Sequence, residues 1–311
     1  MSTTDIIIKL IPLILILLKS TRCSMVMDEW SQDTIYVSKY CPKQKYCKEG
    51  THVMCMYYDR NYDIGPRCIN YVKAAVTPAI VNQVLDTVND IRSKVASGKE
   101  TGKDGLLLPK AYGMMRMKWD SELATLAQVL ANQCIGARED LCRATDKHPN
   151  PSQSIAIIQF KFPNWEYLKH NNSEIGLNEK KLSFAIAMFL QSSRATKKSL
   201  TKEIILDCPK LYELPEPNLK YYLKLIRGEA THIGCGMSAY TRYSDNGVRK
   251  SIYNSVQIVC NISDGPQRSQ PVYKTEPPIP GIGFSKRCGC PNGYKETRGC
   301  LCEEDEDSIS K

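Results

Sequence analysis

Histidine is scarce in this chain, with four in 311 residues. Three of them, His52, His148 and His170, fall on loop-like stretches with no second ligand at metal spacing, so the expectation for each is solvent exposure. No run of apolar residues approaches the ~20 that a bilayer span requires. The formal net charge of +9 is modest, and no basic run alternates with aromatics in the way a nucleic-acid surface would. That charge reads as solvated surface, with no nucleic-acid partner. A covalent catalyst needs a nucleophile beside its base, and no such pair stands at a recognisable spacing. The expectation is therefore a protein that is not an enzyme and carries no cofactor. A secreted hydrolase or protease-like enzyme and a structural extracellular component are the alternatives.

What the chain does contain divides it into segments. LIPLILILL at 10–18, behind Lys9, is an apolar run of secretory length, and Thr21-Arg22-Cys23 places small residues at −3 and −1. Residues 1–23 are read as a signal peptide, and the rest as secreted and extracellular with no stable membrane anchor. Removal takes Lys9, Lys19, Arg22 and Asp5 away and lowers the net charge from +9 to +7. In an oxidising compartment the 14 cysteines are disulfides by default. Cleavage after Cys23 leaves an odd number of them; a slightly earlier cut keeps an even one. Residues 24–75 form a cysteine-rich extension and 76–264 the main domain. Residues 265–287 hold five prolines and read as a semi-rigid extended linker. CGCPNGYKETRGCLC at 288–302 reads as a separate cysteine module, and 303–311 as an acidic tail. The spacing of the module's two C-x-C pairs departs from the C-x₂₋₄-C of structural zinc sites. Two disulfides closing a loop around Asn292-Gly293 are expected instead, because fifteen residues bury too little core otherwise.

Within the main domain Thr77-Pro78 is an N-cap with proline at the first helical position, and Gly98 closes the helix. Val81, Val84, Leu85, Val88, Ile91 and Val95 form its apolar stripe. A second helix starts near Asp120, and weaker helical patterns cover 182–191 and 219–226. SIAIIQF from Ser154 reads as a strand. So do 233–241 and 251–262, around the turn signal Ser244-Asp245-Asn246-Gly247. Helices interleaved with strands and ending in a hairpin imply an α/β layered domain with an antiparallel sheet.

THIGCG at 231–236 places His232 three positions before Cys235. A turn centred between Asn246 and Gly247 sets residue 235 opposite 258, so Cys260 lies two positions off register. A bulge or longer loop removes that difference, and a Cys235–Cys260 disulfide is the economical reading. His232 then reads as an ordinary surface residue.

HIGCG followed by IVCNIS resembles the paired C-terminal signatures of the CAP superfamily, which includes cysteine-rich secretory proteins, antigen-five allergens and pathogenesis-related class 1 proteins. VNDIRSKVASGKE (88–100) resembles the antigen-five helix and turn. MKWDSELATLAQVLANQC (117–134) is similar to the family's W-x-x-E-L-A-x-x-A-Q helix, and YCKEGTHVMC (46–55) to the lead-in of insect antigen-five proteins. The resemblance implies an α-β-α sandwich and the disulfides Cys41–Cys55, Cys47–Cys142, Cys68–Cys134 and Cys235–Cys260. It leaves Cys208, Cys288, Cys290, Cys300 and Cys302 unassigned. The family's two histidines and two acidic residues, which hold a divalent metal in a central cleft, fall at Val88, Gln153, Ser192 and Tyr221, a degenerate set for which no metal is expected. The family further implies action by binding, with an extracellular protein or a lipid or sterol ligand as partner. Asn171 and Asn261 are glycosylation sequons.

Overall fold

The computed structural model describes residues 40–41, 45–58, 64–160, 178–242, 254–279, 283–285 and 287–305. The signal peptide, Asn171, His170, the Ser244–Gly247 turn and the end of the acidic tail lie outside these. A five-stranded sheet is layered between helices. Its path runs β1 (Val72–Ala74), β4 (His232–Tyr240), β5 (Ser255–Ile262), β3 (Ser152–Gln159), and β2 (Lys118–Trp119) pairs in parallel with β4. The other pairings are antiparallel.

One face is covered by α2 (Pro78–Ala96), α4 (Glu179–Ala195), the short α5 (Lys202–Leu206) and α6 (Leu219–Ile226), and the other by α3 (Ser121–Ala131) with the short α1 (Val53–Tyr57). Thr77 caps α2 through Oγ1, and Ile80, Val84, Val88, Ile91 and Val95 are its buried stripe. Asp120 caps α3, accepting from Leu123 N at 2.8 Å. That helix lies almost on the backbone of β4. A Cβ at Gly234 would stand 2.2 Å from Ala124 N, and one at Gly236 2.3 Å from Gln128 N. The two glycines of HIGCG are therefore a seat for a helix, and any side chain there would push α3 off the sheet.

Arg92 is fully buried and joins three segments. Its guanidinium donates to the carbonyls of Met115, Leu225, Arg227, Gly228 and Ala230 at 2.8–3.5 Å. One turn earlier Asn89 Nδ2 donates to Met117 O, and its Oδ1 accepts from Met117 N at 2.8 Å. Burial lowers the Arg92 pKa to about 9, which leaves the group charged at neutral pH.

Cys41–Cys55, Cys47–Cys142, Cys68–Cys134 and Cys235–Cys260 are bonded. Cys235 stands directly opposite Cys260, two positions from the register that a tight turn at 246–247 predicts. The ladder closes at Tyr240–Ser255, and a longer connection follows, held at its base by Asn254 bonded both ways to Arg242. In the module Cys288 pairs with Cys300 and Cys290 with Cys302. Cys208 is buried and free.

Two expectations about the C-terminal part are corrected. The 288–302 module is docked rather than separate. Gly113 N donates to Cys288 O, Cys302 N to Met114 O and Arg116 N to Cys302 O, and all four module cysteines join the main core. The preceding stretch is likewise no free tether. Val272 and Tyr273 are buried, and the backbone of 270–274 bonds to Cys208, Gly228, Ile205 and Tyr112. Two apolar side chains and unpaired backbone groups outweigh the bias of the prolines toward a solvated spacer.

Replacing Arg92 by Met is expected to leave those carbonyls without donors and to lower unfolding free energy by about 3–5 kcal/mol. Denaturant unfolding of the two proteins measures it, and an unchanged midpoint would exclude a structural role for the guanidinium.

Candidate functional site

The four positions of the degenerate cleft lie on α2, β3, α4 and α6. Val88 is a core residue of α2. Ser192 is exposed, and its Oγ donates to Phe189 O at 2.8 Å. Tyr221 is half-buried, its ring 5.1 Å from Lys220 Nζ and 5.6 Å from Lys224 Nζ. Gln153 sits in β3 beside Asn261, which in turn pairs with Gly234 across the sheet. Its side chain turns to the α3 face. There Nε2 donates to Asp140 Oδ2 (2.7 Å) and Asn261 Oδ1 (2.9 Å), and Oε1 accepts from Asp140 N. Among the described residues no hydrogen bond or ion pair joins any two of these four side chains.

Lys224 does reach this region, and nothing in the sequence pattern marks it. It lies on α6 with a side chain only 3% exposed, and its Nζ donates to Gln153 O and to Glu139 Oε1 at 3.1 Å. Burial lowers its pKa, and Glu139 opposes that shift. Arg143 adds a second cation. It forms an ion pair with Asp140 Oδ1 at 2.9 Å, and its Nη atoms donate to Pro151 O and Asp140 O. The Nε–Oδ1 contact is electrostatic, since neither atom has a well-aligned hydrogen bond.

A divalent ion needs lone pairs converging at ~2.0–2.3 Å. Val88 has none, and the Lys224 ammonium already brings positive charge to the Gln153 carbonyl and Glu139. These residues do not fit a metal. Among the described residues no three His, Cys, Asp or Glu side chains converge on one elsewhere.

The histidines correct the expectation of exposure. His52 is 1% exposed and stacks on Tyr40 at 4.2 Å. Its Nδ1 accepts from Met54 N, which makes it the cap of α1, and its Nε2 lies 3.0 Å from Ala144 O. Both contacts are satisfied by the neutral tautomer alone. Burial lowers its pKa. His148 is buried too, with Nε2 3.3 Å from Asp120 Oδ2. Burial acts to raise the Asp120 pKa, but the Leu123 amide and His148 outweigh it and hold the carboxyl low. His232 is half-buried, not an open surface residue. Its ring lies 5.3 Å from that of His148, and Nδ1 contacts Thr231 Oγ1 at 2.9 Å. The two imidazole planes are tilted by 44° to one another, and among the described residues no hydrogen bond joins them.

Asn261 is fully buried on the central strand, and its Nδ2 donates to Leu123 O at 3.1 Å. Its amide nitrogen is committed, so this sequon is no surface acceptor. A cavity of about 220 Å³ includes Thr231, the neighbour of His232, in its lining. Tyr112, Met115, Glu229, Lys274 and Phe284 line it, where the C-terminal segment crosses the main domain.

Comparison with known proteins identifies the family to which this fold is similar. The model of the "Cysteine-rich secretory protein family" (CAP) matches residues 85–261. Venom allergen 5 of Dolichovespula arenaria is 28% identical over 243 residues, 76% of this chain and 99% of that protein. Venom allergen 5.01 of Dolichovespula maculata is 30% identical, over 76% of this chain and 89% of its own length. The solved structure of BmVAL-1 superposes with a TM-score of 0.53 at 17% identity, covering 74% of this chain and 96% of that one.

His52 generates a pH prediction. With its folded pKa below the ordinary ~6.5, the unfolded chain binds the proton first as the medium is acidified. The contribution of the neutral ring is therefore complete above about pH 6.5 and is lost below it. His232, lowered by burial and by His148, carries the same sign. The thermal midpoint is expected to drop on acidification from neutral to about pH 5. His52→Asn, which keeps a cap acceptor, should show a shallower drop.

Proposed function

The chain belongs to the cysteine-rich secretory protein (CAP) family, and from that premise we propose that it is a secreted, non-catalytic protein acting by binding an extracellular protein or lipid partner. One observation supports the reading: three polar side chains at or beside the family's cleft positions are committed to structural partners. Lys224 is held by Glu139 and Gln153 O, Gln153 by Asp140 and Asn261, and Ser192 by Phe189 O. A hydrolase would need an activated hydroxyl or metal-bound water, and among the described residues no histidine or carboxylate hydrogen-bonds to Ser192 or Tyr221. The cavity beside Tyr112 and Phe284, part apolar and part charged, has the character of a binding site rather than of a catalytic centre. The disulfides and the likeness to venom allergens support an extracellular setting.

Calorimetric titration with Zn²⁺ is expected to show no saturable site tighter than about 10 μM. Ester and peptide hydrolysis by secreted material should be at background with or without EDTA. A submicromolar one-to-one isotherm that Tyr221→Ala abolishes would overturn the reading.

Secretion also implies glycosylation at Asn171, which lies in the polar stretch KHNNSE. Glycosidase treatment of secreted protein should remove mass, and Asn171→Gln alone should abolish that loss, leaving Asn261 unmodified.

A further inference from the structure

The segment after α2 presents two leucines to solvent by design of its backbone. Lys103-Asp104-Gly105-Leu106 closes a tight turn with Leu106 N donating to Lys103 O at 3.1 Å. Asp104 (φ 56°) and Gly105 (φ 73°) both occupy the left-handed region, the signature of the two-residue hairpin turns that Asp-Gly favours. Gly102 N bonds to Leu106 O, and Thr101 stands opposite Leu107. The base is fastened on both sides. Glu100 is buried, and it accepts from Lys197, the Tyr222 hydroxyl and Thr101 N. Lys103 N donates to Leu200 O. Gly102 is pressed so closely on Leu200 that a Cβ would stand 2.3 Å from its carbonyl oxygen.

At the tip Leu106 is 70% and Leu107 69% exposed, while Leu108 turns in at 6%. Two adjacent leucines left in water on a clamped turn are unexplained by the core. The charge around them has one predominant sign. Across 97–110 and the adjoining 196–203 stand Lys99, Lys103, Lys110, Lys197, Lys198 and Lys202 against Glu100, Asp104 and Glu203; of these Lys99, Lys103, Lys198 and Lys202 are exposed, as are Asp104 and Glu203.

We propose that this hairpin is a peripheral docking element for anionic phospholipid surfaces, with Leu106 and Leu107 entering the headgroup–acyl boundary and the flanking lysines meeting the lipid phosphates. Charge complementarity selects the occupant, since an apolar tip beside an excess of exposed lysines matches an anionic interface. Clamping removes the ordering loss that a mobile loop would suffer on insertion. Two leucines are too little for permanent anchoring, so attachment is reversible. The inference is independent of the binding function proposed above, since a catalytic protein with the same hairpin would dock equally.

The test is co-sedimentation of the full secreted chain with vesicles of phosphatidylcholine, alone or with about a third phosphatidylserine. Binding to the mixed vesicles should exceed binding to neutral ones by about tenfold and weaken at high salt. Leu106→Ser with Leu107→Ser should lower it by about tenfold or more. Lys99→Glu with Lys103→Glu should remove the preference for anionic lipid. Thermal midpoints should be unchanged in both variants, because all four side chains are exposed. Failure of the wild type to sediment with mixed vesicles, or undiminished binding of the serine variant, would overturn the proposal. So would a dimer on gel filtration that the serine variant converts to monomer, since the leucines would then serve self-association.

Discussion

A single guanidinium organises the helical side of this protein. Arg92 leaves α2 and gathers carbonyls from the 115 region and from the turn between α6 and β4. An isolated buried cation is unfavourable by several kcal/mol, and this one is tolerable because backbone oxygens surround its donors. The same carbonyls would be orphaned without it. Helix, strand entry and turn therefore assemble together or not at all. Asn89, one turn earlier, ties α2 to Met117 by a two-way bond. From that frame the positions of α6, of Lys224 on it, and of His232 at the start of β4 all follow.

The opposite layer depends on absence of side chains. Gly234 and Gly236 let α3 settle against β4 at backbone distance, with Asp120 as its cap and Asn261 reaching Leu123 O from the neighbouring strand. Gln153, next in register, extends this polar seam to Asp140. At the edge of the sheet a lysine and an arginine meet two carboxylates and several carbonyls. This network ties β3 and α6 to the 139–143 segment.

The appended segments are stabilised by the same logic. Disulfides close the short N-terminal lead-in and the fifteen-residue module, neither of which has a core of its own. The module then donates and accepts backbone bonds along 113–116, and ion pairs of Arg116 with Glu303 and Lys118 with Glu304 line the seam. The prolines between them do not hold the strap away from the body, because Val272 and Tyr273 bury more apolar surface than a solvated spacer would allow.

Much of the scaffold was legible in the sequence because its signals are local. Thr77-Pro78 and Gly98 bound α2, Asp120 begins α3, the β-branched runs mark β3 to β5, and THIGCG with IVCNIS carries the strand disulfide. The Asp104-Gly105 turn is equally local, an Asp-Gly hairpin signal. What only the tertiary structure decided is the environment of the polar groups. Lys224 looks like any lysine on an amphipathic helix, and His52 and His148 like loop histidines. Each is buried by elements distant in sequence, and periodicity within one segment cannot report what a remote segment lays across it. The sequence by itself determined the elements, the family and the cysteine frame; packing decided which charges are enclosed and which leucines are left in water, because burial is set by contacts between segments.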